Sequence, residues 1–282
     1  MSPDERLASI VREIKEAGID VLVMGGHAVR FYGVDRNTSD FDLVTSVMTP
    51  SELRTKLPQC SLLSSIKEVP SWRSDDFARF EIGTLPNGRQ EFLEFWLRNH
   101  LLPAFSTLQE RAEVGAYGGD SICFLGLDDL IRSKETERES DWQDISLLEE
   151  IRDERYLGQA VDSARGVIAV QNVRSRRGFE RLVASGLFND ANVVHQAIEN
   201  CTHPVTFAML HPLSRESTPK SLASPIDANV LKGLSKIDFQ STVHRGLVEI
   251  VRRSYMRSAM EIDRLDKEAK VQALRFDSEP KA

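Results

Sequence analysis

Apolar positions divide the chain into a run of short elements followed by a long helical stretch. Leu7, Ile10, Val11 and Ile14 recur at the spacing of one helical face. Ser2 and Glu5 read as a capping box, Pro3 suits the first helical position, and Gly18 stops the run. Ile19 to Met24 is a short apolar run ahead of Gly25-Gly26, which predicts a buried strand and then a sharp turn. A short helix is expected over His27 to Tyr32, ended by Gly33, and a second strand over Phe41 to Val44, interrupted by Asp42. Pro50 to Leu57 reads as a helix capped by Thr49. Phe77 to Thr84 and Glu91 to Leu97 flank Pro86-Asn87-Gly88, a strong hairpin signal. Ser121 to Leu125 is a further strand, and Asp128 to about Ile151 is helical in two pieces.

Strand signals become scarce after about residue 157. Helices are expected over Gly178 to Val183 and Ala191 to Ile198, with a Ser- and Pro-rich loop over Ser214 to Pro225. Leu247, Val251, Tyr255, Ala259, Ile262 and Leu265 mark one face of a long final helix. The pattern predicts an α/β domain over 1–157 and a mostly helical domain over 158–282.

Composition changes this picture little. With 41% hydrophobic and 28% charged residues the balance is that of a folded globular chain. No apolar run approaches the ~18 residues of a membrane span, so no membrane partner is expected. The acidic start, Met1-Ser2-Pro3-Asp4-Glu5, lacks an apolar signal core, and Cys60, Cys123 and Cys201 are odd in number and far apart. Both point to the cytoplasm and away from a disulfide framework. Charge adds more. Residues 1–150 hold 16 Lys and Arg against 27 Asp and Glu, whereas 151–282 hold 20 against 16. The acidic half suits cations and the mildly basic half suits an anionic partner.

The chemistry concentrates between Gly25 and Val44. Asp40 and Asp42 stand two apart on a predicted strand and so share one face. Like charges at ~4 Å repel by about 4 kcal/mol at an effective dielectric of ~20. A hard divalent cation with oxygen ligands relieves that repulsion. Glycines after a strand let backbone N–H groups approach a phosphate. No G-x-G-x-x-G or G-x-x-x-x-G-K-[ST] stands here, which counts against dinucleotide-binding and P-loop readings.

The run Gly25-Gly26, then Arg36-x-Thr38-x-Asp40-x-Asp42 between apolar residues, resembles the nucleotidyltransferase superfamily, and within it the AbiEii-type toxin branch. The resemblance continues through Leu127-Asp128-Asp129-Leu130-Ile131-Arg132-Ser133-Lys134 and Arg138-x-x-Asp141-x-x-Asp144, and covers roughly residues 5–150. It implies a small mixed, twisted sheet with helices and transfer of a nucleotidyl group from an NTP to an acceptor hydroxyl. Asp40, Asp42 and a third carboxylate would bind Mg²⁺, with Mn²⁺ as a substitute. Glu94 is the candidate for the third position and Glu91 the fallback. Gly25, Gly26, Arg36 and Thr38 are then expected at the nucleotide. Lys134 and Arg138, four apart and so on one helical face, would grip the triphosphate. His27 is a weaker phosphate donor. The toxin branch implies an RNA acceptor, a tRNA end, and a cognate antitoxin protein. Arg174, Arg176, Arg177, Arg252, Arg253 and Arg257 are the basic groups that would meet RNA phosphates. A small-molecule (antibiotic) or protein acceptor, and a non-catalytic nucleotide- or partner-binding homologue, are the alternatives.

Overall fold

A computed structural model describes residues 2–260 apart from 48, 73, 86–87, 160–162, 214–217, 223, 240–241 and 258–259. Contacts divide the chain into two compact units, 1–136 and 137–282. The boundary expected at 157 thus falls within the second unit.

The first unit is mixed α/β. Helix α1 (Pro3–Glu16) begins with the capping box: the Ser2 hydroxyl accepts from the Glu5 N–H, and the Glu5 carboxylate accepts from the Ser2 N–H. Its stripe of Leu7, Ile10, Val11 and Ile14 is buried. Then follow β1 (Val21–Val23), α2 (Gly25–Phe31), β2 (Phe41–Thr45), α3 (Pro50–Lys56), β3 (Lys67–Glu68), β4 (Phe77–Thr84), β5 (Gln90–Trp96), α4 (Phe105–Arg111), β6 (Glu113–Tyr117), β7 (Asp120–Phe124) and α5 (Leu127–Ser133). The seven strands form one sheet in the order β3-β4-β5-β2-β1-β7-β6. The central pair β1 and β2 is antiparallel; β2 runs parallel to β5, and β1 parallel to β7.

Alternation along β2, β4 and β5 sorts their side chains by face. Phe41, Leu43, Ala78, Phe80, Leu93 and Phe95 project to one face and are all buried. The opposite face carries Asp42, Arg79, Glu94 and Trp96. The β4–β5 hairpin pairs antiparallel as its turn signal predicts; the turn residues Pro86 and Asn87 lie outside the described residues. The patterns of β3, β6 and α4 are too short or too polar to stand out in the sequence.

In the second unit every element is helical among the described residues: α6 (Glu139–Gln159), α7 (Ser163–Asn172), α8 (Arg176–Ser185), α9 (Ala191–Glu199), α10 (Pro204–Leu210), α11 (Pro225–Leu234) and residues 244–257. Ala259, Ile262 and Leu265 of the expected final helix lie outside the described residues. Val170, Leu182, Ala197, Ile198 and Leu210 centre one apolar cluster; Val230, Leu234 and Leu247 belong to a second. A buried polar lattice sits among them. The Asp153 carboxylate accepts from the Ser175 N–H (2.7 Å), the Ser175 hydroxyl (2.6 Å) and the Arg174 N–H (3.0 Å), fixing α6 against the start of α8. Glu149, flanked by Arg174 at 3.2 Å and His244 at 3.0 Å, is held well below the usual carboxylate range by these two neighbours, which outweigh its burial. No helix among the described residues is long and apolar enough to cross a membrane.

Candidate functional site

The first glycine of the pair is where the site is built. The chain leaves β1 with the Met24 N–H donating to the Asp42 carbonyl at 2.9 Å, and the glycines form the first turn of α2. Gly25 adopts φ +64°, and a Cβ there would lie 1.9 Å from Asp42 Oδ2. A Cβ on Gly26 would lie 2.5 Å from the Thr38 hydroxyl. The sequence therefore needs glycine at both positions so that the helix start can rest on Asp42 and Thr38.

Asp42 pairs in register with Glu94 of the parallel neighbour β5, and Glu94 pairs with Arg79 of β4. The three side chains thus form one row across three strands, on the face away from the Phe41 core. Glu94 is buried and Asp42 half-buried. The Asp42 carboxyl is pushed well above the usual range, chiefly because it is stripped of water. The Glu94 charge beside it and a hydrogen bond between the two carboxyls act in the same direction, as does Asp40, while Lys134 opposes them. A hydrogen bond between two carboxyls needs a proton between them.

Lys134 is 4% exposed and ends α5 as its C-cap, within electrostatic reach of Asp42. It does not share a helix with Arg138, contrary to the spacing argument. The helix stops after Ser133, whose hydroxyl takes up the Leu130 carbonyl at 2.7 Å, and the next helix starts only at Glu139. Arg138 instead donates from Nε to Asp141 at 2.8 Å. Arg36 and Thr38 lie half-buried on the connection from α2 to β2, where the Thr38 hydroxyl donates to the Asp40 carbonyl at 3.4 Å. Asp40 itself is half-buried just before β2. Glu91, at odd spacing from Glu94, projects to the other face and pairs with Arg6 at 2.5 Å.

His27 is not at the site. Its ring stacks on Phe41, 5.2 Å between centroids, on the core face of the sheet. Nδ1 meets the Tyr117 hydroxyl at 2.9 Å, which donates onward to Asp4 at 2.8 Å; buried Nε2 has no partner. Burial depresses its pKa from 6.5 to about 4, outweighing the nearby Asp4 charge. The unfolded chain therefore takes up this proton first. Stability from neutral His27 is complete above pH 6.5 and is lost as the pH falls from there to about 4, by roughly 3 kcal/mol in all. Urea midpoints of the protein and of His27→Gln should converge across that window; parallel curves would refute the assignment.

No sequence motif marks Arg79. Its Nε donates to Glu94 Oε1 at 2.6 Å, its Nη2 also bonds that oxygen, and its guanidinium stands 4.7 Å over the Phe92 ring. The basic residues expected to meet RNA are ion-paired instead: Arg174 with Glu149, Arg176 with Glu180, Arg177 with Glu154, and Arg252 and Arg253 with Glu249. Arg257 is exposed.

Among the described residues no three His, Cys, Asp or Glu side chains form a ready metal cage. The donor chemistry still suits a hard divalent cation. Asp42 and Glu94 stand in register on adjacent strands and offer only oxygens, the donor type such an ion takes.

No protein-family profile matches the chain, and no curated protein does. Solved structures are similar to it at low identity. An antigenic nucleotidyltransferase-like protein from Paracoccidioides brasiliensis is 17% identical with a TM-score of 0.37, over 68% of this chain and 91% of that one. JHP933 from Helicobacter pylori is 12% identical with a TM-score of 0.39, over 93% and 96%. A tRNA-processing enzyme is 16% identical with a TM-score of 0.27, over 94% and 79%. Similarity this low bears on neither the acceptor nor the roles of individual residues.

Proposed function

We propose that this protein transfers a nucleotidyl group from an NTP to an acceptor hydroxyl. The observation that carries the reading is the Asp42–Glu94 pair, set in register across β2 and β5 beside the close-packed Gly25 and the buried Lys134. Asp42 and Glu94, with Asp40 two residues back, would hold Mg²⁺ or Mn²⁺. The ion, when bound, supplies neutralisation of charge on the triphosphate. Glu94 would take the proton from the acceptor hydroxyl as its oxygen attacks the α-phosphorus. The bond from that phosphorus to the bridging oxygen breaks, and pyrophosphate leaves. Lys134 would offset the charge growing on the leaving pyrophosphate. Gly25, Gly26, Thr38 and Arg36 would line the phosphates, with Gly25 keeping the backbone against Asp42.

Incubation with each labelled NTP, Mg²⁺ and total cellular RNA, protein or small hydroxyl compounds tests this. Label should pass to one acceptor class, and no transfer to any of them would overturn the reading.

An RNA acceptor, a tRNA end modified by a toxin held in check by an antitoxin, is what the sequence resemblance implies. A small-molecule or protein acceptor is favoured by one observation: the expected basic cluster is already neutralised by Glu149, Glu154 and Glu180. Salt separates the two. An RNA acceptor predicts binding that weakens with a log–log slope of roughly −0.7 per phosphate contact. The double substitution Arg176→Glu and Arg177→Glu should then flatten that slope. Negligible RNA affinity at low salt assigns the acceptor to the other class.

A further inference from the structure

We infer that Arg79 is a positioning residue that sets the cation affinity of the acid pair, holding Glu94 in place while opposing a divalent ion. The inference rests on the metal reading of Asp42 and Glu94 given above.

Three features of the row carry it. Arg79 stands directly across the β4–β5 pair from Glu94, and Glu94 directly across from Asp42, so one carboxylate is shared between a cation on one side and an acid on the other. Arg79 is itself fixed. Two of its nitrogens converge on Glu94 Oε1, and its guanidinium lies on Phe92, two residues before Glu94 on the same strand face. The arrangement is also sheltered, with the Arg79 side chain 20% exposed and that of Glu94 10%. Water screens such a pair only in part.

Arg79 therefore has two opposed effects. It fixes the Glu94 carboxylate in one orientation, which favours coordination. Its fixed positive charge, one side chain away, repels a second cation, which disfavours it. The charge effect dominates, because Glu94 is also positioned by its neighbours in the sheet and by Asp42. A free divalent ion then binds weakly until the negative charge of a triphosphate arrives to offset the guanidinium, so that Arg79 ties metal occupancy to substrate.

The test is Mn²⁺ binding to the full chain without nucleotide, read by electron paramagnetic resonance, for the wild type, Arg79→Gln, Arg79→Lys and Asp42→Asn. Arg79→Gln should bind Mn²⁺ about tenfold more tightly. Arg79→Lys, which keeps the charge and loses the fork, should stay within about threefold of the wild type. Asp42→Asn should lose the site. Unchanged or weaker binding in Arg79→Gln, with Asp42→Asn still deficient, overturns the role of Arg79 and leaves the metal reading standing. Detectable binding that is equal in the wild type and Asp42→Asn, or none by any variant including Arg79→Gln, overturns the metal reading and this inference with it. A melting temperature that falls in Arg79→Gln while Mn²⁺ affinity holds would make the residue purely structural.

Discussion

Asp42→Asn is expected to lower nucleotidyl transfer by roughly a thousandfold or more while leaving the metal-free protein as stable as before, or more so. The amide keeps the shape of the carboxyl and removes its charge, so a cation loses a ligand that the neutral oxygen replaces poorly. The stability effect follows from the raised carboxyl. The unfolded chain gives up the Asp42 proton at the ordinary carboxylate pKa of 3.8, whereas the folded protein retains it to higher pH. Each pH unit between those two points costs the fold about 1.4 kcal/mol. Asparagine has no proton to lose, and its side-chain N–H can donate to Glu94 in place of the acid proton. Thermal melts in a chelator should show the variant gaining on the wild type at pH 7.5 and matching it at pH 3. A large loss of stability at pH 7.5, with activity retained, would make Asp42 a structural residue.

Gly25→Ala is expected to disrupt both fold and site. A Cβ at φ +64° costs about 1–2 kcal/mol by itself. It would also stand 1.9 Å from Asp42 Oδ2 and 2.8 Å from Asp42 Cβ, so either α2 or β2 must move. Overpacking of this kind adds roughly 1–3 kcal/mol, for a total of about 3 kcal/mol or more. Gly18→Ala is the control. Gly18 has φ +73° with nothing within 4 Å of the would-be Cβ, so only the backbone term applies, about 1 kcal/mol. Urea midpoints give the comparison: two variants equally mild would show that the close approach at Gly25 is not needed. Any folded fraction of Gly25→Ala should carry a displaced Asp42 and transfer little.

Local patterns proved readable where one short segment decides them. The capping box at Ser2 and Glu5, the strand ending at the Gly pair, the strand around Asp42 and the break between α5 and α6 all depend on neighbouring residues, and each lies close to its expected place. Asp40 falls just before β2, which begins at Phe41, so its expected placement on one face with Asp42 rests on the sequence spacing alone. Placing Glu94 beside Asp42 needed more: parity along β5 put it on one face or the other, and only the parallel pairing of β2 with β5 chose its neighbour.

What the sequence by itself determined is the set of elements, the acidic character of the first 150 residues, and the glycines and carboxylates at the ends and on the faces of strands. These are short-range matters of backbone sterics and side-chain alternation. Register and ion pairing came from tertiary structure alone. A two-residue turn at Asn87-Gly88 would set Glu81 opposite Glu94. The bond from the Leu85 N–H to the Arg89 carbonyl and the irregularity between Glu81 and Gly83 shift the pairing, and Arg79 arrives there instead. Helical spacing joined Lys134 to Arg138, but the helix ends between them. Charge made Arg174 an RNA contact, but in the fold it is half-buried and paired with the buried Glu149. For both arginines the deciding partner lies on another element, and a one-dimensional pattern carries the identity of a charge without the identity of what it will face.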